Sequence, residues 1–170
     1  IMIRKLAERE LKTKFGTFRE ILYYDGQKES IALVMGDVAG SDVLCRVHSH
    51  CIGAHVFSSV ECTCREEMEA SQALIEKAGR GVVIWLDQEG KGNGHLALIE
   101  SIPFKKQHGQ AVAYEMAGYN ADARDYRAAA QILDELGVTS IVLLSNSTEK
   151  ADDLRGDGID VSDVKSLPIP

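Results

Sequence analysis

Three cysteines place the tightest condition on how this chain can fold. Cys51, Cys62 and Cys64 stand eleven and then two residues apart, while Cys45 lies upstream in the apolar stretch "VLCRV". The charged stretch "IMIRKLAERELKTKFG" carries no apolar signal-peptide core. The chain therefore reads as cytoplasmic, where disulfides are rare and clustered thiols bind metal or do chemistry. If all three act together, the fold must carry a tight Cys-x-Cys pair and a distant cysteine to one point. Three thiolates suit a tetrahedral zinc ion and leave its fourth position to water, as in a catalytic site. Two other readings stay open. One of His48, His50 or His55 could be a fourth ligand that closes a structural site, or two of the thiols could simply be buried. Cys45 reads as core packing.

The surrounding pattern is that of a layered α/β protein of 170 residues, one domain over 1–170. "SIALVMGD" and "VLCRVHS" are apolar and β-branched and predict strands, with "VAGSD" as the turn between them. "CREEMEASQALIEKAGRG" has helical spacing and ends at Gly79. "GVVIWLDQEG" is a buried strand that opens into a glycine-rich loop. "NADARDYRAAAQILDELG" predicts a helix with Asn120 or Asp122 as N-cap and Gly137 as terminator. "SIVLLSNS" is another buried strand, "TEKADDLRGDG" starts a helix, and a late strand lies near "IDVSDVKSL". The first half reads as antiparallel strands and the second as alternating strands and helices. Together they predict a three-layer α/β/α architecture with a mixed sheet.

No apolar run approaches the roughly 20 residues that span a bilayer. The formal net charge of −7 argues against a nucleic-acid or membrane-surface binder, because either wants a basic face. An anionic small ligand held by a few placed cations remains compatible with that charge.

Taken together, "RVHSHC…VFSSVECTC", "QEG", "DARDY" and "LLSNS…K" resemble the GTP cyclohydrolase II family. Its pattern runs R-V-H-S-E-C, T-G-D-x-F-x-S-x-R-C-D-C-G-x-Q-L, Q-E-G-R, D-x-R-D and T-N-N-P-x-K. The cysteine spacing is the same, and the likeness extends from "KFGTF" to "GIDV". The resemblance implies a zinc ion on Cys51, Cys62 and Cys64 and hydrolytic opening of a purine nucleotide's imidazole ring. Release of formate and pyrophosphate and a place in a riboflavin-type pathway follow from it. It implies that Arg124 acts on the α-phosphate with Asp122 as its base or proton relay. Arg46 and His48 match a strand end that contacts phosphate, and Glu89 and Lys91 match the E-G-R element. Ser145 and Lys150 match the Thr and Lys of the last ligand loop. It also implies magnesium with the nucleotide phosphates, and a homodimer, for which "FREILYY" offers an apolar face.

The departures from that pattern gather at the same places. His50 stands for the family's Glu, His55 for its Asp, and Glu67 for the Gln that contacts the base. "GRNIGL" becomes "GKGNGHL". Ile102 or Pro103 falls where the family carries an active-site Tyr, and Tyr114 is the nearest phenol along the chain. A pocket rewritten this way predicts altered substrate reading, or a product that keeps its formyl group. Two further readings follow: a paralogue acting on another heterocycle, such as a pyrimidine base or nucleoside of the uracil type, and a non-catalytic nucleotide- or zinc-binding protein. The retained cysteines, Asp122 and Arg124 speak against the last.

Overall fold

The structure is a computed structural model, and it describes residues 2–169. Four strands come first: β1 (Arg4–Thr13), β2 (Gly16–Tyr24), β3 (Glu29–Met35) and β4 (Val43–Ser49). A short helix α1 (Ile52–His55) and a long one, α2 (Cys64–Ala78), lead to β5 (Gly81–Leu86). Then follow α3 (His95–His108), α4 (Gln110–Met116), α5 (Arg127–Glu135), β6 (Ile141–Leu144), α6 (Thr148–Gly156) and β7 (Val161–Lys165). The seven strands form one mixed sheet in the order β1-β2-β3-β5-β4-β6-β7. β1, β2, β3 and β5 pair antiparallel, while β5, β4, β6 and β7 pair parallel. The expected α/β fold with a mixed sheet is what forms, antiparallel in its first half.

Alternation along the strands divides the core between two faces. Val43, Cys45 and Val47 of β4 join Val82 and Ile84 of β5 and Ile141 and Leu143 of β6 on one face, covered by Ile132 and Leu133 of α5 and Leu154 of α6. Val83, Leu144 and Phe18 look the other way, onto Ile75 of α2. Cys45 is fully buried in the first cluster, as core packing requires. Burial pushes its thiol up to about 12, which removes it from metal or redox chemistry.

α2 follows its sequence signals closely. Glu66 and Glu67 sit in its first turn, Lys77 in its last, and Gly79 closes it at φ 74°, its N–H bonding the carbonyls of Ile75 and Glu76. The next helix departs from expectation. α5 begins at Arg127, with Tyr126 as N-cap, so neither Asn120 nor Asp122 caps it. Asp122 and Asp125 instead turn back on the chain and accept the backbone N–H groups of Arg124 and Arg127, at 3.0 and 2.9 Å. Such local bonds offer the backbone an alternative to helix, so Asp122 and Arg124 stand in a loop before α5.

β1 is the element least visible in sequence. Most of its residues are exposed, and Lys5 and Glu8 within it, with Arg9–Glu20 and Arg19–Glu8 across to β2, form surface ion pairs. A charged edge strand of this kind discourages further strand pairing. "FREILYY" is corrected too: Phe18, Ile21 and Tyr23 of β2 are buried in the protein's own core, and little of that stretch is left to face a partner. Among the described residues, no helix is long and apolar enough to cross a membrane.

Candidate active site

The parallel strands β4, β5 and β6 end side by side, at Ser49, Leu86 and Leu144. Open α/β sheets bind ligands outside these carboxyl ends. Here β4 runs into His50 and Cys51, β5 into Gln88 and Glu89, and β6 into Ser145 and α6. A cavity of about 400 Å³ opens there, walled by Cys51, Cys62, Cys64, Glu89, Lys91 and Arg124.

The three sulfurs lie within 4.8 Å of one another, and those of Cys51 and Cys62 are 3.7 Å apart. None is in a disulfide. No histidine or carboxylate joins this cluster among the described residues. Arg65 explains how a residue eleven positions upstream reaches the Cys62–Cys64 pair. Its guanidinium donates to the carbonyl oxygens of Ala54 and His55, at 2.9 and 3.0 Å, and so ties the start of α2 to the end of α1. Burial raises the Cys51 and Cys64 thiols, and the neighbouring cysteines push Cys64 up further. A cation bound here must therefore displace protons.

Beneath the cavity lies a second, buried cluster. Arg46 Nε donates to His48 Nδ1 at 3.2 Å, and its Nη1 donates to the carbonyl of Leu144 at 3.0 Å. Because His48 Nδ1 accepts, the proton of the neutral ring sits on Nε2, which faces His55 Nε2 at 2.8 Å. Burial, and then the Arg46 charge, hold His48 down to about 2, so it stays neutral. Glu67 Oε2 is 3.7 Å from Arg46 Nη2. Lys150 reaches across to donate to the carbonyl of Val47. Its pKa is lowered by burial and then by Arg46 and Arg124. Ser145 is buried beside it and accepts the N–H of Ser147 at 3.0 Å.

Asp122 and Arg124 form a two-pronged ion pair, Nε to Oδ1 at 3.0 Å and Nη2 to Oδ2 at 2.6 Å. Burial works against both charges, yet the pairing prevails, lowering Asp122 and raising Arg124. Their loop is stitched to the glycine loop after β5. Ala123 N–H bonds the carbonyl of Lys91 at 2.7 Å, Asp125 N–H bonds Gln88 Oε1 at 2.9 Å, and Asn93 Nδ2 bonds the carbonyl of Asn120 at 2.9 Å. Gly92, at φ 85°, passes so near that a Cβ there would stand 2.5 Å from the Ala123 carbonyl oxygen.

The structure thus divides the expected site residues. The cysteines, Glu89, Lys91 and Arg124 wall the cavity, whereas Arg46, His48, Glu67, Ser145 and Lys150 form the cluster below, and Asp122 holds Arg124 from behind. Ile102 does reach the cavity wall. Tyr114 of α4 joins it there, fully buried, with a hydroxyl that completes no hydrogen bond. Arg65, Gln88 and His95 were not singled out from sequence. Arg65 had a local signal, an arginine directly after the third cysteine, and Gln88 opens the Q-E-G motif, whereas His95 had none.

The chain is 39% identical over 173 residues to "Riboflavin biosynthesis protein RibBA" of Bacillus mycoides (strain KBAB4) and 40% to the protein of that name from Bacillus cereus (strain ATCC 14579). Each alignment covers 99% of this chain and 44% of the relative, so the chain spans less than half their length. Among solved structures, RibBX of A. baumannii, a two-domain 3,4-dihydroxy-2-butanone 4-phosphate synthase, matches over 99% of this chain and 41% of its own, with TM-score 0.55 and 19% identity, a likeness of fold alone. The GTP cyclohydrolase II family model matches residues 4–166. With that match over nearly its whole length, the chain belongs to the GTP cyclohydrolase II family.

Proposed function

We propose that this protein is a zinc-dependent hydrolase that opens the imidazole ring of a purine nucleotide, GTP in the simplest case. The observation that carries the reading is the convergence of Cys51, Cys62 and Cys64 on one cavity with Arg124. The thiols fit the metal: tetrahedral bonds of ~2.3 Å hold two sulfurs about 3.8 Å apart, against 3.7 Å between Cys51 and Cys62. Zinc there would supply an activated water nucleophile near neutral pH.

The protein's own groups do the rest. Arg46 and Arg124, with the buried Lys150 amine beside them, gather cationic groups around Glu67 and Asp122, a setting for phosphate oxygens, with magnesium neutralising others. Asp122 fixes Arg124 as a directed cation toward the α-phosphate. Ser145 and His48 hold the floor on which the phosphates rest, and Glu89 and Lys91 form the wall beside the base. Ile102 offers that wall no hydrogen bond, and the Tyr114 hydroxyl is sealed from solvent. Ring opening then outruns deformylation, and a formyl-retaining product accumulates alongside formate and pyrophosphate.

The commitment of Glu67 to Arg46 favours one alternative, a related reaction on another heterocycle such as a pyrimidine, because the position expected to read the base is occupied with a cation. A homodimer in the cytoplasm completes the proposal. Turnover of a panel of purine and pyrimidine nucleotides by the metal-loaded protein, with product masses, tests it. GTP consumption with a ring-opened product supports the reading, and turnover confined to pyrimidines would replace it. Sedimentation of the purified chain tests the dimer.

A further inference from the structure

One group on the cavity wall has no part in that scheme. His95 opens α3, and about half of its side chain is exposed. Its Nδ1 lies 2.8 Å from Oε1 of Glu89, whose side chain is only 9% exposed. The same Glu89 oxygen receives the backbone N–H of Ile52 at 3.3 Å, and Glu89 Oε2 is 3.8 Å from His50 Nε2. An ionised carboxylate only accepts hydrogen bonds. The proton of a neutral His95 ring is therefore drawn to Nδ1, which leaves the Nε2 lone pair free. Among the described residues no hydrogen bond or ion pair engages Nε2, and His95 shares its cavity with the three cysteines and Arg124.

A buried carboxylate that orients an imidazole on a cavity wall, with the distal nitrogen unengaged, is the arrangement of a proton-transfer group. Most of the neighbours are otherwise engaged, and the Glu61 carboxylate, also on the wall, has no second group to orient it among the described residues. Lys91, Lys105 and Arg124 bring positive charge, Asp122 is spent on Arg124, the Tyr114 hydroxyl is sealed, and His50 packs edge-on against Trp85.

We propose that His95, oriented by Glu89, is the general acid–base of the ring-opening hydrolysis; this rests on the function proposed above. Water adds across the ring C–N bond. As the O–C bond forms at the ring carbon, Nε2 takes a proton from the water. The C–N bond breaks with its electron pair going to nitrogen, and Nε2 returns the proton to that nitrogen. His95 begins and ends neutral, and nothing beyond water is consumed.

The competing role is mechanical: the pair could merely pin the glycine loop to the cysteine loop. His95→Asn separates the two, since an Asn amide can still donate to Glu89 but cannot shuttle a proton. In the metal-loaded protein this variant is expected to keep its metal content and its KM for GTP within about threefold while kcat falls about 10²–10⁴-fold, the usual size of general acid–base catalysis. Two-bond ¹H–¹⁵N spectra of histidine-labelled protein are expected to show His95 protonated at Nδ1. An Nε2-protonated ring, or a His95→Asn enzyme with undiminished kcat, overturns the assignment and leaves the function standing. An unaltered chain that turns over no nucleotide overturns both.

Discussion

Arg46 on β4 and Glu67 in the first turn of α2 face each other at 3.7 Å, below the cavity rather than on its wall. The pairing makes Glu67 the counter-charge of a buried cationic cluster. Glu67→Gln should then strengthen binding of a triphosphate roughly tenfold, through loss of a repulsion of about 1.4 kcal/mol, and leave guanosine binding unchanged. Calorimetric titration of both ligands checks this. Weakened binding of guanosine as well would return Glu67 to the base.

Metal content should follow the three converging thiols. Cys62→Ser is expected to lower zinc from one per chain to background, by elemental analysis after gel filtration. Cys45→Ser should keep the metal and lower stability by about 1–3 kcal/mol, the cost of a hydroxyl placed in an apolar core. Full zinc retention in Cys62→Ser contradicts the site.

Lys150 is buried beside Arg46 with its pKa lowered by burial and by that neighbour, so an arriving phosphate restores its charge. Lys150→Met should raise KM for GTP about 10–100-fold, a charge-assisted hydrogen bond of about 1.5–3 kcal/mol, with little effect on a phosphate-free nucleoside. Equal losses on both would deny it a phosphate role.

His48, buried in its neutral form, makes the metal-free protein sensitive to acid. Its folded pKa, about 2, is below the unfolded value near 6.5, so its contribution is intact above pH 6.5 and fades as pH falls. Between pH 7.5 and 5.5 the unaltered protein should lose about 1.4 kcal/mol more than His48→Gln. Urea unfolding of both at the two pH values measures the difference; parallel losses would assign the acid sensitivity elsewhere.

Among the described residues the buried Tyr114 hydroxyl completes no well-formed hydrogen bond, although Ser101 and Gln110 stand near it. Tyr114→Phe removes that penalty, so the melting temperature should hold or rise, since leaving such a group unpaired costs about 1–3 kcal/mol. The ratio of formyl-retaining product to formate should not change. A collapse of formate release would show that the phenol turns into the cavity when nucleotide binds.

How far the sequence could be read depended on whether the forces at each element were local. β4, β5 and α2 were legible because continuous apolar runs and a helical period report burial directly, and because Gly79 marks a left-handed stop. β1 was not, since an edge strand held by cross-strand ion pairs shows no apolar alternation. The start of α5 was misplaced because Asp122 looks like a cap but, like Asp125, closes a turn on its own loop. The cysteine cluster was suggested by the spacing, which left other readings open, and by the family resemblance. The division between cavity wall and buried floor, and the partnership of Glu89 with His95, depend on where three strand ends and two loops meet, which no short stretch encodes.

The stitching between the glycine loop and the Asp122–Arg124 loop bears on how this pocket can be rebuilt. Lys91 and Ala123 are joined through their backbones, and Gly92 leaves no room for a side chain against Ala123. Transplanting either segment from a relative alone would set its neighbour out of register and carry Arg124 with it. The two loops form a single cassette, and a chimera intended to change substrate choice has to exchange residues 88–95 and 120–125 together.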